Sequence, residues 1–251
     1  MALRPVQVNI KALDPARVGR FWADALGWTV STAGAATYVA PAGGPLGPDP
    51  AALAVSAISV LPSPGGKTAT KNRTHLDLAT TSAAHQAELV ARLRDLGATP
   101  VDLGQGDGVP WVVLADPEGN ELCVLEPREI YRDTGPIAAV VVDCADPRAM
   151  ARFWGGALGW TTHRATDDIV GLRAADGTGP FLEFLRVPGP KTVPDRVRLD
   201  LLPDPGGEQT AEVTRLRALG AAVLAPGQGD SPGTCLEDPE GHEFRVLAPL
   251  S

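Results

Sequence analysis

Hydrophobic and polar positions along the chain change period repeatedly, from the two-residue alternation of strands to the 3.6-residue repeat of helices. Residues 6–11 read as an extended segment. Asp14-Pro15 then predicts a helix start, with an acid at the N-cap and proline at the first helical position. That helix places Val18, Phe21, Trp22, Ala25 and Leu26 on one stripe, and Gly27 closes it. Extended segments follow at 37–40 and 53–61. A second unit opens with an alternating strand over 74–79. Its helix covers about 82–96, with Leu89, Leu93 and Leu96 inward and Gly97 at its end. Strands near 101–103, 111–115 and 121–125 complete the unit, the last two joined by the turn Asp116-Pro117-Glu118-Gly119.

The same succession then begins again. Asp14-Pro15, Phe21-Trp22 and Leu26-Gly27-Trp28 recur as Asp146-Pro147, Phe153-Trp154 and Leu158-Gly159-Trp160, each 132 residues later. Leu76-Asp77-Leu78 recurs as Leu199-Asp200-Leu201 after 123 residues, and Asp116-Pro117-Glu118-Gly119 as Asp238-Pro239-Glu240-Gly241 after 122. The falling offset places about nine extra residues in the first copy, in the Gly- and Pro-rich stretch 41–52, which suits a surface loop. The chain is therefore a tandem duplication, with copies of 1–131 and 132–251 joined near 127–135. Strand, helix, then two or three strands occur twice per copy. This predicts an α+β fold in which helices cover one face of a largely antiparallel sheet.

Composition narrows the function. Asp and Glu number 30 against 22 Lys and Arg in 251 residues, a formal charge of -8, whereas a nucleic-acid binder shows a basic face. No apolar run reaches the ~18 residues of a membrane helix, and residues 1–15 lack the apolar centre of a secretory signal. Cys123, Cys144 and Cys235 are too few and too scattered for a disulfide framework or a paired-cysteine zinc site. The expectation is a reduced, cytoplasmic protein whose partner is a small organic ligand.

Taken in order, these motifs resemble the vicinal oxygen chelate superfamily: glyoxalase I, bleomycin-resistance proteins, fosfomycin-resistance enzymes and extradiol dioxygenases. The carriers are the Asp-Pro helix start with its Phe-Trp and Leu-Gly-Trp, the segment from Lys67 through Asn72-Arg73 to His75-Leu76-Asp77-Leu78, the Leu-Arg-x-Leu-Gly-Ala of the second helix, and Asp-Pro-Glu-Gly. The middle segment looks most like the glyoxalase-like branch. The resemblance implies two tandem glyoxalase-like domains, each a pair of βαβββ units forming a cupped sheet with helices outside, as a monomeric pseudo-dimer or a homodimer.

It also implies where to look for a site. Metal-dependent members hold an ion with His, Gln or Glu from fixed strand positions. These positions fall on Gln7, Ser59, His75 and Cys123 in copy one, and on Ala139, Glu183, Arg198 and Arg245 in copy two. Arginine repels cations, so copy two is expected to carry an Arg198–Glu183–Arg245 charge cluster, joined by Asp200, in place of a metal. Some relatives build a site from strands of both copies, and the mixed set is then His75, Cys123 and Glu183, with Ala139 leaving a gap. The expectation is no metal and no other cofactor, with a divalent ion as the alternative.

His75 with Asp77 on the same strand face reads either as a proton-transfer pair or as a satisfied buried histidine. Arg198 and Arg245 read as a clamp for a carboxylate or phenolate, or as charges neutralised internally. Trp111 reads as a stacking platform or a packing residue, while Trp22, Trp28, Trp154 and Trp160 read as core. Cys123 reads as a buried strand residue, residues 104–108 as a turn, and Lys67, Lys71 and Arg73 as a solvated approach to a strand. Three functions follow. The first is a metal-independent protein that binds or sequesters an aromatic natural product, as bleomycin-resistance relatives do. The second is a lyase or isomerase of specialised metabolism in which His75 and Asp77 transfer protons. The third is a metal-dependent glyoxalase or dioxygenase.

Overall fold

A computed structural model describes residues 3–43, 55, 57–106, 108–225 and 233–248. Residues 44–52 of the expected surface loop, and residues 53, 54 and 56 of the expected 53–61 strand, lie outside the described residues. So do position 107 of the first glycine-rich turn and its whole counterpart at 227–230.

The first copy contains β1 (Leu3–Ala12), α1 (Pro15–Leu26), β2 (Thr29–Ala33), β3 (Ala36–Ala40) and β4 (Ala57–Pro62). Its second unit contains β5 (Thr74–Leu78), α2 (Ala83–Asp95), β6 (Thr99–Pro100), β7 (Val112–Ala115) and β8 (Glu121–Val124). A single 3-10 turn, Glu129–Tyr131, lies between the copies. The second copy repeats the pattern with β9 (Ile137–Cys144), α3 (Pro147–Leu158), β10 (Thr161–Ala165), β11 (Ile169–Arg173) and β12 (Phe181–Arg186). It ends with β13 (Val197–Pro203), α4 (Gln209–Leu219), β14 (Ala222–Val223), β15 (Thr234–Glu237) and β16 (Glu243–Val246).

The helices start and stop for the reasons written in the sequence. Asp14 accepts the Arg17 amide at 2.9 Å, and Asp146 accepts those of Arg148 and Ala149 at 3.0 Å. Gly27 and Gly159 end α1 and α3 in left-handed backbone, at φ 68° and 67°. The stripe Val18, Phe21, Trp22, Ala25 and Leu26 is buried, and so is its counterpart around Phe153 and Trp154. These faces pack on Val8, Ile10, Val140, Val142, Leu199 and Phe244, which makes one continuous core beneath the helices. Among the described residues, no helix is long and apolar enough to cross a membrane.

The sheets are built across the copies. One eight-stranded sheet runs β14-β15-β16-β13-β1-β4-β3-β2, and the other runs β10-β11-β12-β9-β5-β8-β7-β6. The α+β class and the largely antiparallel order are as the sequence predicts. The partnership of units differs from a copy closing its own cup: unit one joins unit four through the antiparallel pair β1–β13, and unit two joins unit three through β5–β9.

Reciprocal side chains reinforce this exchange. Arg73 of copy one donates to the carbonyls of Gly189 and Pro190 in copy two, each at 2.8 Å. Arg196 of copy two donates to Gly65 and Lys11 carbonyls in copy one, each at 2.7 Å. The lysine cluster is correspondingly less solvated than the sequence suggests. Lys67 has a side chain only 7% exposed and pairs with Glu121 at 2.8 Å, while Lys71 pairs with buried Asp143.

Candidate functional site

Strand alternation turns every second residue away from the helices, into the cup that each sheet forms. In the first cup, Gln7 and Asn9 come from β1, Ser59 from β4, Arg198 and Asp200 from β13, and Arg245 from β16. All six are buried. Arg245 forms a two-pronged pair with Asp200, Nε to Oδ1 at 3.0 Å and Nη2 to Oδ2 at 2.5 Å. The Gln7 amide donates to the same carboxylate at 2.7 Å, and Asn9 donates to Ser59 at 2.9 Å. Arg198 lies 3.9 Å from Glu243 and 3.9 Å from the Cys235 sulfur.

Gly233, the counterpart of Trp111, makes this arrangement possible. It sits at φ +143°, and a Cβ there would come within 2.8 Å of the Val246 carbonyl and 3.2 Å of the Arg245 stem. A side chain there would collide with that carbonyl and crowd the Arg245 stem, in a backbone conformation that favours glycine.

In the second cup, His75 and Asp77 come from β5, Cys123 from β8, Ala139 from β9 and Glu183 from β12. The expected Arg198–Glu183–Arg245 cluster is therefore not formed. Glu183 belongs to the other sheet, and Arg198 lies within ion-pair distance of Glu243 instead. Of the mixed set, His75 and Cys123 come together with Asp77, while Glu183 stands in the same sheet on β12 and is engaged by Tyr131 and Arg164.

His75 Nε2 lies 3.4 Å from Asp77 Oδ1, and Asp77 is paired in register with Cys123. Glu183 accepts the Tyr131 hydroxyl at 3.0 and 3.2 Å and pairs with Arg164 at 3.2 Å. Gly171 makes room for that pair, since a Cβ there would lie 3.3 Å from Glu183 Oε1 and 3.2 Å from Arg164 Cγ. Trp111 packs with Ile130 on an apolar cluster that includes Tyr131, Phe181, Leu125, Ala139 and Val141.

Burial governs the protons of this cup. Burial, then the charge of Glu183, raises the Asp77 carboxyl from 3.8 to about 7. Burial pushes the Cys123 thiol up, with the Asp77 charge adding to it. Burial, helped by Lys71, lowers His75 well below the usual imidazole value. The cup thus holds a neutral imidazole, a carboxyl that changes charge near neutrality and a protonated thiol.

The two cups differ in how they would suit a metal ion. In the first, guanidinium groups stand at two of the four ligand positions and the Gln7 amide is bonded to Asp200, so the residues do not fit. In the second, His75, Asp77 and Cys123 bring one nitrogen, one oxygen and one sulfur within 4.8 Å of one another, a donor set that suits a divalent ion of the zinc type. His75 Nδ1 is buried there without a hydrogen-bond partner.

The glyoxalase-like domain model matches residues 7–125 and, separately, 139–247. The chain belongs to the glyoxalase-like domain family. As a tandem member of the vicinal oxygen chelate superfamily, it is similar in fold to glyoxalase I from Zea mays. That similarity has a TM-score of 0.64 at 15% identity, covering 98% of this chain and 92% of the maize chain. It is also similar to a Bacillus subtilis protein described as a dioxygenase, with a TM-score of 0.61 at 14% identity, covering 99% of this chain and 87% of that one. Identities this low show the fold alone. No curated protein sequence matches the chain.

Tyr131 and Arg164 were not singled out by reading the sequence. Tyr131 lies in the linker, outside the strand periods that mark a site, and its one signal is an aromatic ring within an otherwise charged stretch.

Proposed function

We propose that this glyoxalase-like protein binds a small organic molecule in its first cup without the help of a metal ion. The observation that carries the reading is the Arg245–Asp200–Gln7 network, in which Asp200 pairs with Arg245 and Gln7, two residues that the resemblance places at metal-ligand positions. Beside it lies a cavity of about 730 Å3, within the size range of small-molecule sites. Lys11, Arg196, Arg198, Glu237 and Glu243 are among its polar groups, and Leu61 and Leu224 are among its apolar walls. A flat, partly apolar ligand with an acidic or phenolic edge matches that lining, with Arg198 facing the acidic edge. Sequestration of an aromatic natural product is the form of this function that the bleomycin-resistance relatives suggest.

Native mass spectrometry combined with elemental analysis, followed by calorimetric titration of the molecule so found, tests the reading. The expected result is binding by metal-free protein and affinity about ten-fold weaker in Arg198→Ala. A stoichiometric transition ion whose removal abolishes binding overturns it, as does unchanged affinity in that variant.

A second reading places chemistry in the other cup. The neutral imidazole of His75, 3.4 Å from a carboxyl that titrates near 7, has the protonation states of a lyase or isomerase proton-transfer pair. His75, Asp77 and Cys123 are also the residues that would hold a divalent ion, which would supply Lewis-acid polarisation of a ligand oxygen. His75→Ala separates the two functions, because it removes turnover in the second cup and leaves binding in the first cup unchanged.

A further inference from the structure

The second cup is entered by a residue that belongs to none of its sheet's eight strands. Tyr131 stands on the 3-10 turn of the linker, is 3% exposed, and directs its hydroxyl at Glu183, which is 1% exposed. Its ring meets Phe181 edge-on, with centroids 5.6 Å apart and planes at 80°. The guanidinium carbons of Arg128 and Arg164 lie 5.9 and 6.0 Å from its centroid. An acid that accepts one hydroxyl, an aromatic edge, two cations over the ring and walls of Ala139, Val141 and Leu125 together form a receptor for a phenol.

The linker that carries this ring is held mainly at its ends. Leu125 donates to the Leu78 carbonyl at 3.0 Å, and the Pro136 carbonyl accepts from Ala79 at 3.0 Å. The two anchors are therefore neighbours at the end of β5, and the strap between them leaves and returns at one place. Most of its hydrogen bonds are internal: Tyr131 to Arg128, Arg132 to Glu129, Thr134 to Tyr131, and Arg128 to Glu126. Arg173 reaches the Asp133 carbonyl at 3.5 Å. On the other side of the strap is a cavity of about 550 Å3, bordered by Leu26, Leu89, Arg128 and Tyr131 itself. A strap with adjacent anchors, few bonds to the body and open space beside it can lift without disturbing the sheet.

We propose that the second cup is a phenol-binding site closed by its own linker, with Tyr131 as a built-in ligand that an external phenol displaces from Glu183. The bound phenol is the protonated form, because Glu183 accepts its hydroxyl. The site lies in the opposite sheet from the first-cup cavity and does not depend on the function proposed for that cavity.

The probe is 4-methylphenol, which is the tyrosine side chain without its backbone. Calorimetric titration is expected to show at least ten-fold tighter binding to Tyr131→Ala than to the unmodified protein. In that variant, 4-methylphenol is expected to bind at least ten-fold more tightly than toluene, which lacks the hydroxyl. Equal affinity in the two proteins, or no preference over toluene, overturns the proposal. If Tyr131→Ala does not fold, Tyr131→Phe decides: it keeps the ring, loses the bond to Glu183, and is expected to bind the probe several-fold more tightly than the unmodified protein, with unchanged affinity overturning the proposal. In the unmodified protein, saturating probe is expected to accelerate tryptic cleavage after Arg132, which lies on the displaced strap. Unchanged cleavage overturns the displacement.

Discussion

Arg245 has a side chain 2% exposed, and the carboxylate facing it on Asp200 is completely buried. Both charges have lost their water, so each depends on the other to offset its desolvation. Asp200→Ala would leave a cation in the core of the first cup. The expected loss is about 3–5 kcal/mol of unfolding free energy, measured by urea denaturation. Asp77 gives a prediction of opposite electrostatic character. Its carboxyl titrates at about 7 in the folded chain against 3.8 ordinarily, so between those values the native state keeps a proton that the unfolded chain has released. Stability contributed by Asp77 is therefore complete below about pH 3.8 and is lost as pH rises toward 7. The slope is at most about 1.4 kcal/mol per pH unit. Asp195 and Asp238, raised to about 6 and about 7 by burial, act in the same direction. Asp77→Asn should therefore flatten the decline in stability across this window without abolishing it, as denaturation at a series of pH values would show. Several of these residues could be named from the sequence. What the sequence could not give was the company they keep: Asp200 and Arg245 are 45 positions apart, and Glu183 meets Tyr131 across 52.

The repeated turn Asp-Pro-Glu-Gly is legible at the level of elements as a hairpin connection, but its glutamate does more than turn the chain. Glu118 accepts the backbone amides of Leu13 and Asp14 at 2.8 and 2.6 Å, just ahead of α1. Glu240 does the same for Ala145 and Asp146 ahead of α3, at 2.6 and 2.8 Å. Each acid thus ties one unit of a copy to the helix start of the other, although the two units contribute to different sheets. Glu118 also meets Arg196 at 3.1 Å, which adds a link between copies. Glu118→Ala should cost about 1.5–3 kcal/mol, the range for hydrogen bonds to a charged group, read as a lower denaturation midpoint at unchanged slope. The helices themselves were readable to within a residue or two, since cap, proline, apolar stripe and closing glycine are all local signals. The linker was not. A three-residue 3-10 turn has no period to detect, and its importance comes from where it packs.

In the whole molecule, the junctions β1–β13 and β5–β9 each sit at the centre of a sheet and each join different copies. Neither copy can complete an eight-stranded sheet alone. A fragment of residues 1–131 would expose unpaired edges on both β1 and β5, a template for association. Expressed singly, each half is expected to aggregate or to pair with itself. Expressed together, the halves are expected to form a one-to-one complex that elutes at the size of the intact chain, as size-exclusion chromatography with light scattering would show. Well-folded monomeric halves would contradict the cross-copy architecture.

The sequence by itself determined that the protein is a duplication of strand–helix–strand units and where its helices begin and end. Those facts depend on local period and on matches between the copies, and both are written along the chain. Only the tertiary structure decided which units share a cup, that Glu183 shares a sheet with His75 rather than with Arg198, and that Tyr131 donates its hydroxyl to Glu183. The physical reason is that the first strand of every unit presents the same alternation whichever unit it pairs with. Local pattern fixes the faces, and the choice of partner is settled by contacts between residues far apart in the chain.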